Sequence, residues 1–295
     1  MRKIKILTDI KRHYKHSWLL LIILLAVASL SQAQTVRSAA AYYNRGNERY
    51  KKGDLDGAIA DFDAALIFEP RLARAYNMRG SARYIKGDLE KSIADYTRAI
   101  EIDPHLALAY YNRGKARRDM GDVEGSFADY TRAIEVDPRL SSAYNNRGNA
   151  LRDKGDLDKA MADLDKAVRF DPHNALVYNN RGLVRRATGN LRGAIADYNR
   201  AIEINPLFAE AYSNRGNARQ DSKDLDRSIA DYELAIKIDP SFAKAYGNRG
   251  LVRLFQGDKL GAEKDFDQCL TLDPKLKALL EEQIEQAKRR LAARQ

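Results

Sequence analysis

Six asparagines, Asn44, Asn112, Asn146, Asn180, Asn214 and Asn248, recur at one fixed interval of thirty-four positions or at twice that interval. A side-chain amide donates and accepts hydrogen bonds, so a row of amides at constant spacing can follow the backbone of an extended peptide. The same row can instead bond neighbouring segments of its own chain, and the periodicity alone allows both. A second series keeps the same interval. Arg45, Arg79, Arg113, Arg147, Arg181, Arg215 and Arg249 are each followed sixteen positions later by Asp61, Asp95, Asp129, Asp163, Asp197, Asp231 and Asp265. A guanidinium on an inward-facing side needs a partner. These spacings therefore predict structural, register-setting ion pairs such as Arg113–Asp129, Arg147–Asp163 and Arg181–Asp197, within one repeat or between neighbours. Arg118, Arg152 and Arg186 form a third row, suited to a partner's carboxylate. Tyr43 and Tyr111 add aromatic surface near its start.

Constellations for catalysis are absent. His13 and His16 precede the apolar N-terminal run, while His105 and His173 are isolated and stand two full intervals apart. Neither pair has metal-ligand spacing or a catalytic partner. The chain has no Gly-rich phosphate loop, His-Glu-x-x-His or Gly-x-Ser-x-Gly motif. Aspartates and glutamates recur at fixed repeat positions, which points to structural duty. No enzyme activity, cofactor or metal is expected.

The elements that hold these residues follow from the prolines. Pro70, Pro104, Pro138, Pro172, Pro206, Pro240 and Pro274 keep the same thirty-four-position beat, a period that marks stacked supersecondary units. With proline at slot 32, the repeats begin at Ala39, Ala73, Ala107, Ser141, Ala175, Ala209 and Ala243. Slot 4 is always Tyr and slot 8 always Gly. Slot 15 is Gly except for Lys223, and slot 16 is Asp or Asn. Slot 24 is aromatic except for Leu164, while slots 20 and 27 are small. Slots 1–14 predict one helix, closed by a left-handed glycine. The acid or amide at slot 16 caps a second helix, which the proline stops. One such hairpin cannot bury its apolar side alone, so stability comes from stacking.

This pattern closely resembles the tetratricopeptide repeat family over residues 39–274. The resemblance implies an all-α fold, a right-handed α-solenoid of helix-turn-helix repeats. Its units would be 39–72, 73–106, 107–140, 141–174, 175–208, 209–242 and about 243–276, followed by a C-terminal capping helix over 275–295. It also implies that slots 2, 5, 6, 9, 12 and 13 of each first helix line a concave groove. There the Asn series looks like the asparagine ladder of some peptide-binding members. Two departures stand out. Slot 7 is Arg where the family usually has Leu, and the carboxylate-clamp pattern of Lys at slot 5 with Asn at slot 9 is not reproduced.

Residues 1–33 differ in kind. Six Lys and Arg precede an uncharged run over residues 18–30, and Ser31-Gln32-Ala33 supplies small residues at a cleavage position. This is the layout of a secretory signal peptide with cleavage near Ala33, since the run is short for a membrane span. A linker over 34–38 follows. The leader accounts for +5 of the formal +10 charge, and residues 34–274 carry only +2, so basicity does not argue for nucleic acid. Contact with a membrane is expected only through the leader, if it is retained. Cys269 is the only cysteine and stands where the other repeats have Ala, so a small buried residue is expected. The sequence therefore reads as a periplasmic or secreted, non-catalytic scaffold binding a protein or peptide. The alternatives are a self-assembling structural solenoid and a regulatory subunit of an envelope enzyme.

Overall fold

The structure, a computed structural model, describes residues 38–292; the expected leader over 1–33, residues 34–37 of the expected linker and residues 293–295 lie outside that range. Among the described residues there are fifteen α-helices and no strand. They divide into two units, one ending at Val136 and one beginning at Asp137. The first unit holds α1 (Ala39–Lys51), α2 (Leu55–Phe68), α3 (Ala73–Ile85), α4 (Leu89–Ile102), α5 (Ala107–Asp119) and α6 (Val123–Val136). The second begins with α7 (Ser141–Asp153), α8 (Leu157–Phe170), α9 (Ala175–Ala187), α10 (Leu191–Ile204) and α11 (Ala209–Asp221). It continues through α12 (Leu225–Ile238), α13 (Ala243–Gln256), α14 (Lys259–Leu272), a 3-10 turn at Pro274–Leu276 and α15 (Lys277–Ala292). Within each unit each helix packs on the next, except that α15 packs back on α13, giving an all-α solenoid of stacked hairpins. No described helix is long and apolar enough to cross a membrane.

Local chemistry sets the hairpins. First helices end one position earlier than the slot pattern predicts in six repeats, because slot 14 already serves as the C-cap; α13 alone runs through it. Slot 15 is then left-handed: Gly121 has φ 86°, and Lys223 is held at φ 65° in the same place. The slot 16 side chain accepts from the second helix, as Asp122 does from the Gly125 N–H at 2.8 Å. After the second helix, the slot 31 side chain accepts across the proline in five repeats, as Asp137 does from the Arg139 N–H at 2.9 Å.

Slot 8 needs glycine for approach rather than for a turn. A Cβ on Gly46 would lie 2.7 Å from the Phe62 ring, and one on Gly114 would lie 2.8 Å from the Tyr130 ring. Small residues at slot 10 are likewise pressed against the preceding helices, with Ala82, Ala116, Val184, Ala218 and Val252 fully buried. The first repeat breaks this rule. Its slot 10 is Glu48, exposed and paired with Lys51 at 2.9 Å, and among the described residues no helix precedes α1. At the other end, Leu280 of α15 is buried with Ala243 and Cys269, where burial pushes the thiol pKa up.

Between the two helices of each hairpin lies a polar layer. The slot 7 arginine grips the slot 23 aspartate of its own repeat with two nitrogens. Arg113 Nε and Nη2 lie 3.0 and 2.7 Å from Asp129, and Arg181 repeats these distances to Asp197. Arg147 reaches Asp163 at 2.7 and 2.8 Å. A second arginine, at slot 11, shares the carboxylate in every repeat but the fourth. Arg117 Nη1, for example, is 2.9 Å from Asp129. The fourth repeat has Leu151 there, buried. In repeats two, three, five and six the remaining Nη1 of the slot 7 arginine reaches back to slot 25 of the preceding repeat, as from Arg113 to Thr97 at 3.1 Å and from Arg215 to Asn199 at 2.7 Å. Each slot 7 guanidinium also lies 5.2–5.8 Å from the slot 4 tyrosine ring of its repeat. Burial works against the charge of Arg79 and Arg181, but their carboxylate bonds outweigh it and hold both pKa values above the ordinary.

Candidate peptide-binding groove

The first helices lie side by side, α1, α3 and α5 in one unit and α7, α9, α11 and α13 in the other. At about 100° per residue, slots 5, 6, 9 and 12 share the face opposite slots 4, 7, 8 and 11. With the latter set turned into the polar layer and the glycine contacts, the former set lines the groove.

The slot 6 amides are engaged by the stack. Asn112 Nδ2 donates to Asn77 Oδ1 of the preceding repeat at 3.1 Å. Asn180 donates to Asn145 at 2.8 Å and Asn214 to Asn179 at 2.9 Å. All three acceptors occupy slot 5 and are buried. Where slot 5 is Ser213, Asn248 turns to Asn217 Oδ1 at 3.1 Å. Asn146 Oδ1 accepts from Asn145 at 3.2 Å, and Asn44, in the first repeat, is exposed. The ladder therefore builds the stack with the amide nitrogen of each donor.

The slot 12 arginines correct one expectation. They do not form an open cationic row, because slot 13 supplies acids beside them. Arg186 Nε is 2.6 Å from Asp221 of the following repeat. Arg152 places Nε and Nη2 at 3.2 and 2.9 Å from Asp153, and Arg118 lies 3.7 Å from Asp119. A carboxylate-seeking row through the middle repeats is thus largely neutralised. In the first unit, Tyr84 takes the same slot and its O–H donates to Asp119. Burial, then that bond, pushes its pKa up to about 12, and the Lys115 ammonium lies 4.8 Å from its ring. Tyr43 and Tyr111 pack over the slot 24 rings of Phe62 and Tyr130, at 5.9 and 6.1 Å.

One groove feature escapes a reading of each slot separately: slots 9 and 24 of a repeat meet. Where both are polar they bond, as Tyr96 O–H does to Ser81 at 3.3 Å and Tyr232 O–H to Asn217 at 2.8 Å. Where both are apolar, as Leu251 and Phe266, no polar atom is at stake. Mismatches leave buried atoms with no protein partner: Asn47 Oδ1 opposite Phe62, Asn149 Oδ1 opposite Leu164, and the Tyr198 hydroxyl opposite Leu183. Arg152 Nη1, one turn from Asn149, joins the last two in repeats four and five. Comparing the residue types at slots 9 and 24 along the sequence would have found them. Among the described residues no group of His, Cys, Asp and Glu could hold a metal.

A family profile described as TPR repeat matches residues 80–117, 114–151, 148–189 and 182–223. Profiles described as tetratricopeptide repeat match 39–72, 209–242 and 243–276. No curated protein matches the chain. Among solved structures, the Cut9 and Hcn1 hetero-tetramer of the APC/C aligns with TM-score 0.71 and 16% identity, covering 84% of this chain. This chain spans about half of that one, 48%. A tetratricopeptide repeat protein from Parabacteroides merdae aligns with TM-score 0.64 and 20% identity, covering 85% of this chain and 98% of that one. YrrB, described as a TPR protein with an unusual peptide-binding site, aligns with TM-score 0.51 and 24% identity, covering 65% of this chain and 97% of that one. At these identities the likeness concerns the fold alone.

Proposed function

We propose, because the chain belongs to the tetratricopeptide repeat family, that this protein–protein interaction scaffold holds an extended peptide segment of its partner against the first helices. The observation that carries the reading is the unmet hydrogen-bonding capacity of the groove in repeat four. Asn149 Oδ1 and Arg152 Nη1, one turn apart on a first helix, lack protein partners, whereas the interhelical arginines and aspartates are bonded in all seven repeats. An extended backbone alternates donors and acceptors, which suits such a set. Arg152 keeps about a quarter of its side chain exposed, 26%, so its guanidinium is within reach of a bound segment. The scaffold acts without catalysis. The pattern over residues 1–33 supports action outside the cytoplasm.

Selection of random displayed peptides on the full chain tests the groove. Peptides enriched on the wild type should bind about tenfold more weakly after Arg152→Leu, and more weakly after Asn149→Ala, with melting temperature little changed. Absence of enrichment, or equal binding by both variants, overturns the groove reading. N-terminal sequencing of the exported chain tests the leader, and an intact Met1 would refute cleavage near Ala33.

A further inference from the structure

The last repeat reverses the polarity of its second helix. In the six preceding repeats, slots 17 and 18 pair an apolar residue with a charged one, from Leu55-Asp56 to Leu225-Asp226. Here they are Lys259-Leu260, and slot 21, apolar in the others, is Glu263. Leu260 consequently points to solvent and is 74% exposed.

Beside it, the end of α13, the first half of α14 and the second half of α15 line a pocket of about 770 Å³. Leu254, Phe255 and Phe266 line one side and Ile284 and Leu291 the other, with Lys259, Glu263 and Lys288 among the polar lining. The first half of α15 is closed over Cys269 and Ala243, so the opening is confined to one end. One surface therefore presents an apolar projection, an apolar recess wide enough to receive it, and charges of both signs. Among the described residues Lys288 pairs with its helical neighbour Glu285, at 2.9 Å, and Glu263 and Lys259 are both exposed.

We propose that this surface docks a second copy of the chain, with Leu260 of each copy entering the recess of the other and Glu263 facing Lys288 across the contact. Self-complementarity is what a two-fold interface requires, since one patch must supply both halves of every contact. A patch of this kind, built on parts of three helices, is small against stable interfaces, so the dimer forms weakly and reversibly. The contact is separate from the groove and does not rest on peptide binding.

Sedimentation velocity on the full chain, from about 1 µM to about 200 µM, should show a monomer–dimer equilibrium. Leu260→Asp, an exposed position whose change leaves the fold intact, should weaken dimerisation about tenfold or more. Glu263→Lys and Lys288→Glu should each weaken it, and the double variant should recover it, because the reversed charges meet again across the two-fold. Association through the apolar run at residues 18–30 would be indifferent to all of these changes. A monomer throughout the range overturns the proposal and leaves the recess to another occupant. A dimer unchanged by Leu260→Asp, or charge reversals that fail to compensate, overturns it equally.

Discussion

The polar layer between paired helices and the groove face on the first helices are built from the same repeat, yet they use their polar groups differently. In the layer, a bidentate arginine–aspartate pair recurs in all seven repeats. The groove repeats its asparagines, but slots 5, 9 and 12 change from repeat to repeat. It keeps buried polar atoms at Asn149 and Arg152 with no partner inside the protein. The difference follows from where each layer ends. A charge enclosed between two helices finds compensation within the hairpin or costs several kcal/mol, while a groove atom can find it in another molecule.

The largest expected effect breaks the layer. Asp231→Ala removes the carboxylate shared by Arg215 and Arg219 and should cost about 3 kcal/mol in denaturant unfolding. Asp163→Ala, in the repeat where Leu151 replaces the second arginine, should cost clearly less. Equal losses would mean that the second arginine is not balanced by the shared aspartate. On the groove face, Asn180→Ala leaves Asn145 Oδ1 buried without its donor and should cost about 1–3 kcal/mol. Asn149→Ala removes an acceptor that already lacks a donor and should be close to neutral. A large loss at Asn149 would refute its unmatched state. Smaller again, Lys223→Gly relieves a side chain held at φ 65° and should stabilise by about 1 kcal/mol.

Alkaline titration probes the aromatic side of the groove. The Tyr84 pKa is raised in the folded chain to about 12, against about 10 in an unfolded one. Its contribution to stability is therefore complete below about pH 10 and lost as pH climbs toward about 12. Burial shifts Tyr96, Tyr198 and Tyr232 in the same direction. Ultraviolet difference spectra should show phenolate absorbance lagging behind that of the denatured chain, and coincident curves would contradict the burial of these rings.

The hairpins are visible in the sequence because each boundary has its own chemical mark: glycine at slot 15, a capping side chain at slot 16 and proline at slot 32. The sixteen-position interval from Arg113 to Asp129 is equally plain. What that interval hides is the third nitrogen, since slot 25 changes from Asp63 to Thr97 to Asn199 and gives no periodic signal. The role of the slot 6 asparagines was hidden for the opposite reason, because bonding a neighbour and bonding a ligand produce the same recurrence. The neutralisation of Arg186 depends on Asp221 in the following repeat, a relation that appears only once the first helices lie side by side.

Glu48 marks the first hairpin as a terminus by composition. An array of this kind lengthens by duplicating one whole repeat block, and a copied interior block brings an alanine or valine at slot 10 that fits against whatever precedes it. A duplicate of the first block would carry a carboxylate into that dry seam. Growth of the array by faithful copying is therefore open to the inner blocks and closed to the outermost one.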